Sequence, residues 1–134
     1  MSEANPTSKG NLWAGYTLTA LSALFLLADG VGKLFKPALV VEATTKLGYP
    51  ESTIIPIGLV LVICTFLYLL PVTSVIGAIL LTGYLGGAVA THARVGEGVF
   101  PIVFPVIIGS LVWGGLFLRD KRLRTLLPFR KQPS

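Results

Sequence analysis

Between Ser52 and Ala93 the chain reads STIIPIGLVLVICTFLYLLPVTSVIGAILLTGYLGGAVATHA, with no Asp, Glu, Lys or Arg anywhere in it. A soluble fold of 134 residues cannot bury an apolar stretch of that length, and at 1.5 Å per residue it is too long for one crossing of a ~30 Å hydrocarbon core. Pro71 divides it. The sequence Leu70-Pro71-Val72-Thr73-Ser74 breaks one helix and supplies hydroxyl residues to cap the next. The stretch is therefore two antiparallel spans joined by a tight reversal.

Working outward, Gly10–Ala28 and Gly98–Leu118 are also free of charged side chains. The whole chain is 53% hydrophobic and 13% charged, against roughly 25% charged in soluble domains. The reading is all-α: a transmembrane four-helix bundle, antiparallel and up-down, with spans over 12–35, 54–70, 74–93 and 99–118. Residues 1–11 form a flexible polar tail and residues 119–134 a basic one. The first apolar run is too long for a signal-peptide core and lacks a clean small-x-small site, so it is expected to be a retained helix.

The longest loop joins the first two spans. Pro37 suits the first turn of a short helix, and Gly48 and Pro50 suit its end. Leu39, Val40, Ala43 and Leu47 share one side, and Glu42 and Lys46 are spaced to pair. This predicts a short helix lying on the membrane surface, with an ordered extramembrane helix as the alternative. Ser52 is expected to cap the second span. Pro101 and Pro105 weaken the start of the fourth.

Topology follows from Lys and Arg. The side holding both termini carries seven, six of them from Arg119 to Lys131, and the other side carries four. The positive-inside rule then places both termini in the cytoplasm of a bacterial-type inner (plasma) membrane. A basic segment directly after an apolar run reads as a topology anchor at anionic headgroups. No aromatic residues interleave with it for base stacking, so nucleic acid is not an expected partner. One His and one Cys exclude a zinc finger, a disulfide framework and a CxxC redox pair, and no metal site is expected.

Lipid gives no hydrophobic reward for helix pairing, so small residues must permit close contact. The third span offers Ala78, Thr82, Gly86 and Ala90 at four-residue intervals, with Gly83 and Gly87 in a second row beside them. These are the expected helix-packing residues, and two adjacent rows predict that this span lies at the bundle centre.

Five ionisable residues mark span ends on the side opposite the termini: Asp29, Lys33, Glu51, His92 and Arg94. Charges near a membrane are costly unless paired or hydrated. Asp29 and Lys33 are four apart and can pair. One reading is a set of interfacial anchors. The other is a ligand site formed by Asp29, Lys33, Tyr84, His92 and Arg94, with donors and apolar walls that would suit a quinone headgroup.

The segments Ala28–Leu34, Leu47-Gly48-Tyr49-Pro50, Leu70-Pro71 and above all Gly83-Tyr84-Leu85-Gly86-Gly87-Ala88-Val89-Ala90-Thr91-His92-Ala93-Arg94 resemble the DoxX-like family of small four-helix membrane proteins. The resemblance runs from about Leu12 to Leu118. It implies a link to thiosulfate:quinone oxidation, membrane redox complexes or assembly, and it makes Gly30–Lys33 and Gly83–Arg94 the expected shared site. With no cofactor motif and one thiol, no independent catalytic activity is expected. The leading expectation is a membrane subunit or scaffold for a redox or assembly partner. A quinone-type lipophilic-ligand protein is the alternative, and an oligomeric small-molecule transporter, which would need homo-oligomer formation, is the third.

Overall fold

The computed structural model describes residues 9–126. Helix α1 spans Lys9–Phe35, α2 Ala38–Lys46, α3 Ile54–Leu69, α4 Ser74–Val95, α5 Phe100–Arg119 and α6 Lys121–Leu126, with a single 3-10 turn over Glu51–Thr53. No strand occurs among the described residues. The helices α1, α4, α5 and the unit Glu51–Leu69 are each long and apolar enough to cross a membrane.

The spans agree with the expected ones to within a few residues. α1 opens at Lys9, so Lys9–Asn11 are helical rather than tail. At the other end Arg119 closes α5 and Lys121–Leu126 add a short helix, so the basic segment is partly structured. Arg130 and Lys131 lie outside the described residues.

The four spans form a ring. α1 packs on α3 and α5, and α4 packs on the same two from the far side. This corrects the expected central position of the third span. A four-cornered bundle has no central helix, and α4 has two neighbours like the rest. It buries Ser74, Gly77, Ala78, Leu81, Leu85 and Thr91. The core between the spans is built on Leu26, Leu61, Tyr68, Leu81, Val112 and Leu116, all at most 1% exposed. The free Cys64 is buried among them.

Close approach occurs at other small residues. A Cβ on Gly30 would lie 2.7 Å from Val62 Cγ2, and one on Gly58 would lie 2.8 Å from the Gly30 carbonyl, so α1 and α3 cross backbone to backbone there. Gly15 and Gly115 make the equivalent crossing of α1 and α5, where a Cβ on Gly115 would lie 2.9 Å from the Thr19 amide nitrogen. By contrast, no atom lies within 4 Å of the Cβ position at Gly83, Gly86 or Gly87. The packing expected of these three glycines is not made among the described residues. Ala90 is likewise exposed, whereas Ala78 is fully buried and Thr82 accepts a 2.6 Å hydrogen bond from Trp113 Nε1.

The reversal between α3 and α4 is as tight as Pro71 implies. Thr73 does not cap α4 with its side chain. Its hydroxyl instead donates back to the Leu67 carbonyl at 2.8 Å, which closes the turn. Ser52 does not cap α3 either. It sits exposed in the 3-10 turn, and Thr53 donates to the Pro50 carbonyl at 2.7 Å.

Candidate functional site

The up-down course brings the end of α1, the α2 loop, the start of α3 and the end of α4 to one end of the bundle. We call it the capped end. Three separate polar contacts arise there from the predicted residues. Lys33 Nζ lies 2.6 Å from Asp29 Oδ1, one helical turn apart on α1. Tyr84 on α4 is half-buried. Arg94 donates from Nη2 to the Leu47 carbonyl at 2.8 Å and lies against Gly48. His92 turns to the loop after its own helix, where its Nδ1 is buried 3.4 Å from Glu97 Oε1. That separation allows an ion pair, but the geometry is not that of a hydrogen bond.

The single shared cluster expected of Asp29, Lys33, His92 and Arg94 is therefore divided. Neither His92 nor Arg94 hydrogen-bonds or ion-pairs with Asp29 or Lys33. The reason is local. Gly96 takes a left-handed conformation (φ 76°), its N–H closes the α4 C-terminus on the His92 carbonyl, and Glu97 follows within reach of the imidazole. Arg94, two residues further on, leaves at a different angle and finds a carbonyl of the α2 loop.

The loop forms a cap. Pro37 precedes α2, and Gly48 (φ 96°) turns the chain after it. Four ties hold it down: Arg94 to Leu47, Tyr49 Oη to Thr91 Oγ1 at 2.7 Å, Lys36 Nζ to Glu51 Oε2 at 3.1 Å, and the buried Thr44. The expected apolar face of α2 is shifted. Thr44 is its buried residue, while Leu39 is 78% exposed and Glu42 and Lys46 are exposed and do not bridge. Tyr49 and Thr91 were not among the expected site residues, although both fall inside the segments that carried the family resemblance.

The opposite end holds a network the sequence reading missed altogether. Arg119 donates from Nε to Thr19 Oγ1 and from Nη2 to the Tyr68 carbonyl, both at 3.0 Å, and its guanidinium lies 5.0 Å from the Tyr68 ring centre. The Tyr68 hydroxyl donates to the Val112 carbonyl at 2.6 Å and lies 3.3 Å from Thr19 Oγ1. Three spans are joined in this way. Neighbouring Asp120 is engaged by Arg122, through the backbone N–H at 2.9 Å and the side chain at 3.3 Å. Burial pushes the Asp120 carboxyl up, but the hydrogen bonds from Arg122 and Leu123 outweigh it and hold the group below its ordinary value.

Among the described residues no group of three or more His, Cys, Asp or Glu side chains is placed to hold a metal. Fold and site together define a four-helix integral membrane protein whose polar residues are tied together at its two ends. The chain matches the DoxX-like family model over residues 17–115 and belongs to that family. No curated protein and no solved structure matches it significantly.

Proposed function

We propose that the chain is a membrane subunit or scaffold whose outward α4–α5 face receives a transmembrane helix of a partner protein. The observation that carries this reading is the vacancy around Gly83, Gly86 and Gly87. In lipid, small residues matter because they let another helix approach, and here no helix among the described residues does so. Beside them runs an open groove of about 370 Å³ between α4 and α5, lined by Gly86, Val89, Pro105, Val106, Gly109 and Trp113 among others. Its surface is mostly apolar, with Thr82 and Ser110 as the hydroxyl residues in its lining, which suits a helix-docking surface in a bilayer.

The polar residues support the same reading. Asp29, Lys33, Arg94 and Glu51 are each engaged by a neighbour at the capped end. They stabilise the cap and leave α4 and α5 to make the interaction. A redox or assembly partner is the class of protein to which the family resemblance points.

Co-purification in mild detergent tests this. The wild-type chain should retain a second membrane polypeptide in fixed proportion. Gly86→Leu and Gly87→Leu should lose it while keeping the parent's melting temperature. Retention of the partner by both variants would overturn the reading. Recovery of a quinone in stoichiometric amount from the wild type, lost in Gly86→Leu, would replace the partner helix with a lipophilic ligand. A doubled mass with no second polypeptide would make the partner another copy of this chain.

A further inference from the structure

We infer that the Arg119 end of the bundle binds the phosphate of an anionic phospholipid, with the Arg119 guanidinium as the fixed contact and Lys121 as a second charge. The two ends of the molecule differ in charge. The capped end has four basic residues, Lys33, Lys36, Lys46 and Arg94, and four acidic ones, Asp29, Glu42, Glu51 and Glu97. At the Arg119 end the described basic residues are Lys9, Arg119, Lys121, Arg122 and Arg124, and the one described acidic residue is Asp120. Asp120 is already engaged by Arg122. The Arg119 charge thus has no carboxylate paired with it among the described residues.

Arg119 is also held in place. Thr19 and the Tyr68 carbonyl accept two of its N–H groups, and the Tyr68 ring lies beside the guanidinium. None of the contacts that fix it uses Nη1. A guanidinium offers five N–H donors in a rigid fork that matches a phosphate, so a side chain already immobilised on neutral groups is prepared for an anion. Because the side chain is ordered before binding, less conformational entropy is lost on contact.

The location points to a lipid. Arg119 ends a membrane-spanning helix, which places it where headgroups lie. Close by in the fold, the first turns of α1 present Trp13 at 72% and Tyr16 at 55% exposure, the aromatic pattern of a membrane interface. Gly15, between them, is packed directly on Arg119. An acyl chain running from a phosphate on Arg119 would meet apolar helix surface at once. A soluble anion has no use for such walls.

The experiment uses the full chain in neutral detergent, read by native mass spectrometry and thermal unfolding, with phosphatidylglycerol, phosphatidylcholine of the same acyl chains, and inorganic phosphate as probes. Phosphatidylglycerol should be retained and should raise the melting temperature, and the other two should do neither. Arg119→Lys keeps the charge but loses the fork, and should weaken phosphatidylglycerol retention about tenfold, as expected for one charge-assisted hydrogen bond. Lys46→Gln, at the capped end, should retain it fully. Should Arg119→Lys fail to fold, the wild-type comparison between the two lipids decides. Equal retention of both lipids, or equal stabilisation by inorganic phosphate, would overturn the assignment. So would loss of retention in Arg130→Gln/Lys131→Gln with Arg119→Lys unaffected, since that would mean diffuse attraction to the tail.

Discussion

Two sets of glycines in this molecule have opposite surroundings. Gly15, Gly30, Gly58 and Gly115 lie at crossings where a side chain would collide with a neighbouring helix. Gly83, Gly86 and Gly87 have no atom near the position a Cβ would take. The first set explains how α1 comes so close to α3 and α5. The second makes no such crossing among the described residues, and it is the set to which we assign the partner helix. A small-residue repeat therefore announces a helix contact without saying whose helix it is.

The contrast is broken most severely at the crossings. Gly58→Leu should lower stability toward the upper end of the ~1–3 kcal/mol range for overpacking, because the colliding atoms are the Gly30 backbone and the Lys33 Cβ. Thermal unfolding in detergent measures it. Gly87→Leu should unfold with the parent under the same conditions. Equal losses in the two variants would erase the distinction.

Next in size is the Arg119 end. Tyr68→Phe removes the hydroxyl that donates to the Val112 carbonyl, while that carbonyl keeps its place in the α5 helix ladder, at a cost of about 1 kcal/mol. The same assay should show it, with no change in partner retention. Asp29→Asn at the capped end removes the charge that pairs with Lys33, whose side chain is 15% exposed. About 1 kcal/mol is expected there, because the Asp29 side chain is 37% exposed and solvent screens the pair.

The smallest effect is a pH dependence. The Asp120 carboxyl titrates below its ordinary value in the folded chain, so its contribution is fully present above the unfolded value and is lost as the pH falls through the folded one. Wild-type melting temperature should therefore fall more steeply than that of Asp120→Asn as the pH is taken from 5 downward. Parallel curves would show that the Arg122 contacts do not stabilise the folded chain.

The spans were legible because absence of charge over 17 to 20 residues is a strong signal, and Pro71 placed the one ambiguous boundary. The Asp29–Lys33 pair was legible because its spacing is helical. What joins distant parts of the chain was not. Thr19, Tyr68 and Arg119 are far apart in sequence, and Arg119 opens a run of basic residues that reads naturally as a tail. His92 and Arg94 share an end of the bundle with Asp29 and Lys33, yet the turn at Gly96 brings the Glu97 carboxylate to His92. Neighbourhood at one end of a bundle is thus readable from topology, whereas pairing within it depends on loop geometry that hydrophobicity does not encode.

The account rests most heavily on the outward face of α4 meeting a helix from another polypeptide. Single cysteines placed at Gly83, Gly87 and Ala90, on a Cys64→Ser background, carry a photo-crosslinker into native membranes, with Leu24 on α1 (70% exposed) as the comparison site. Crosslinks to one second polypeptide from the α4 positions, and none from Leu24, are the predicted result. Crosslinks that are absent from α4, or equal at α4 and Leu24, would contradict it.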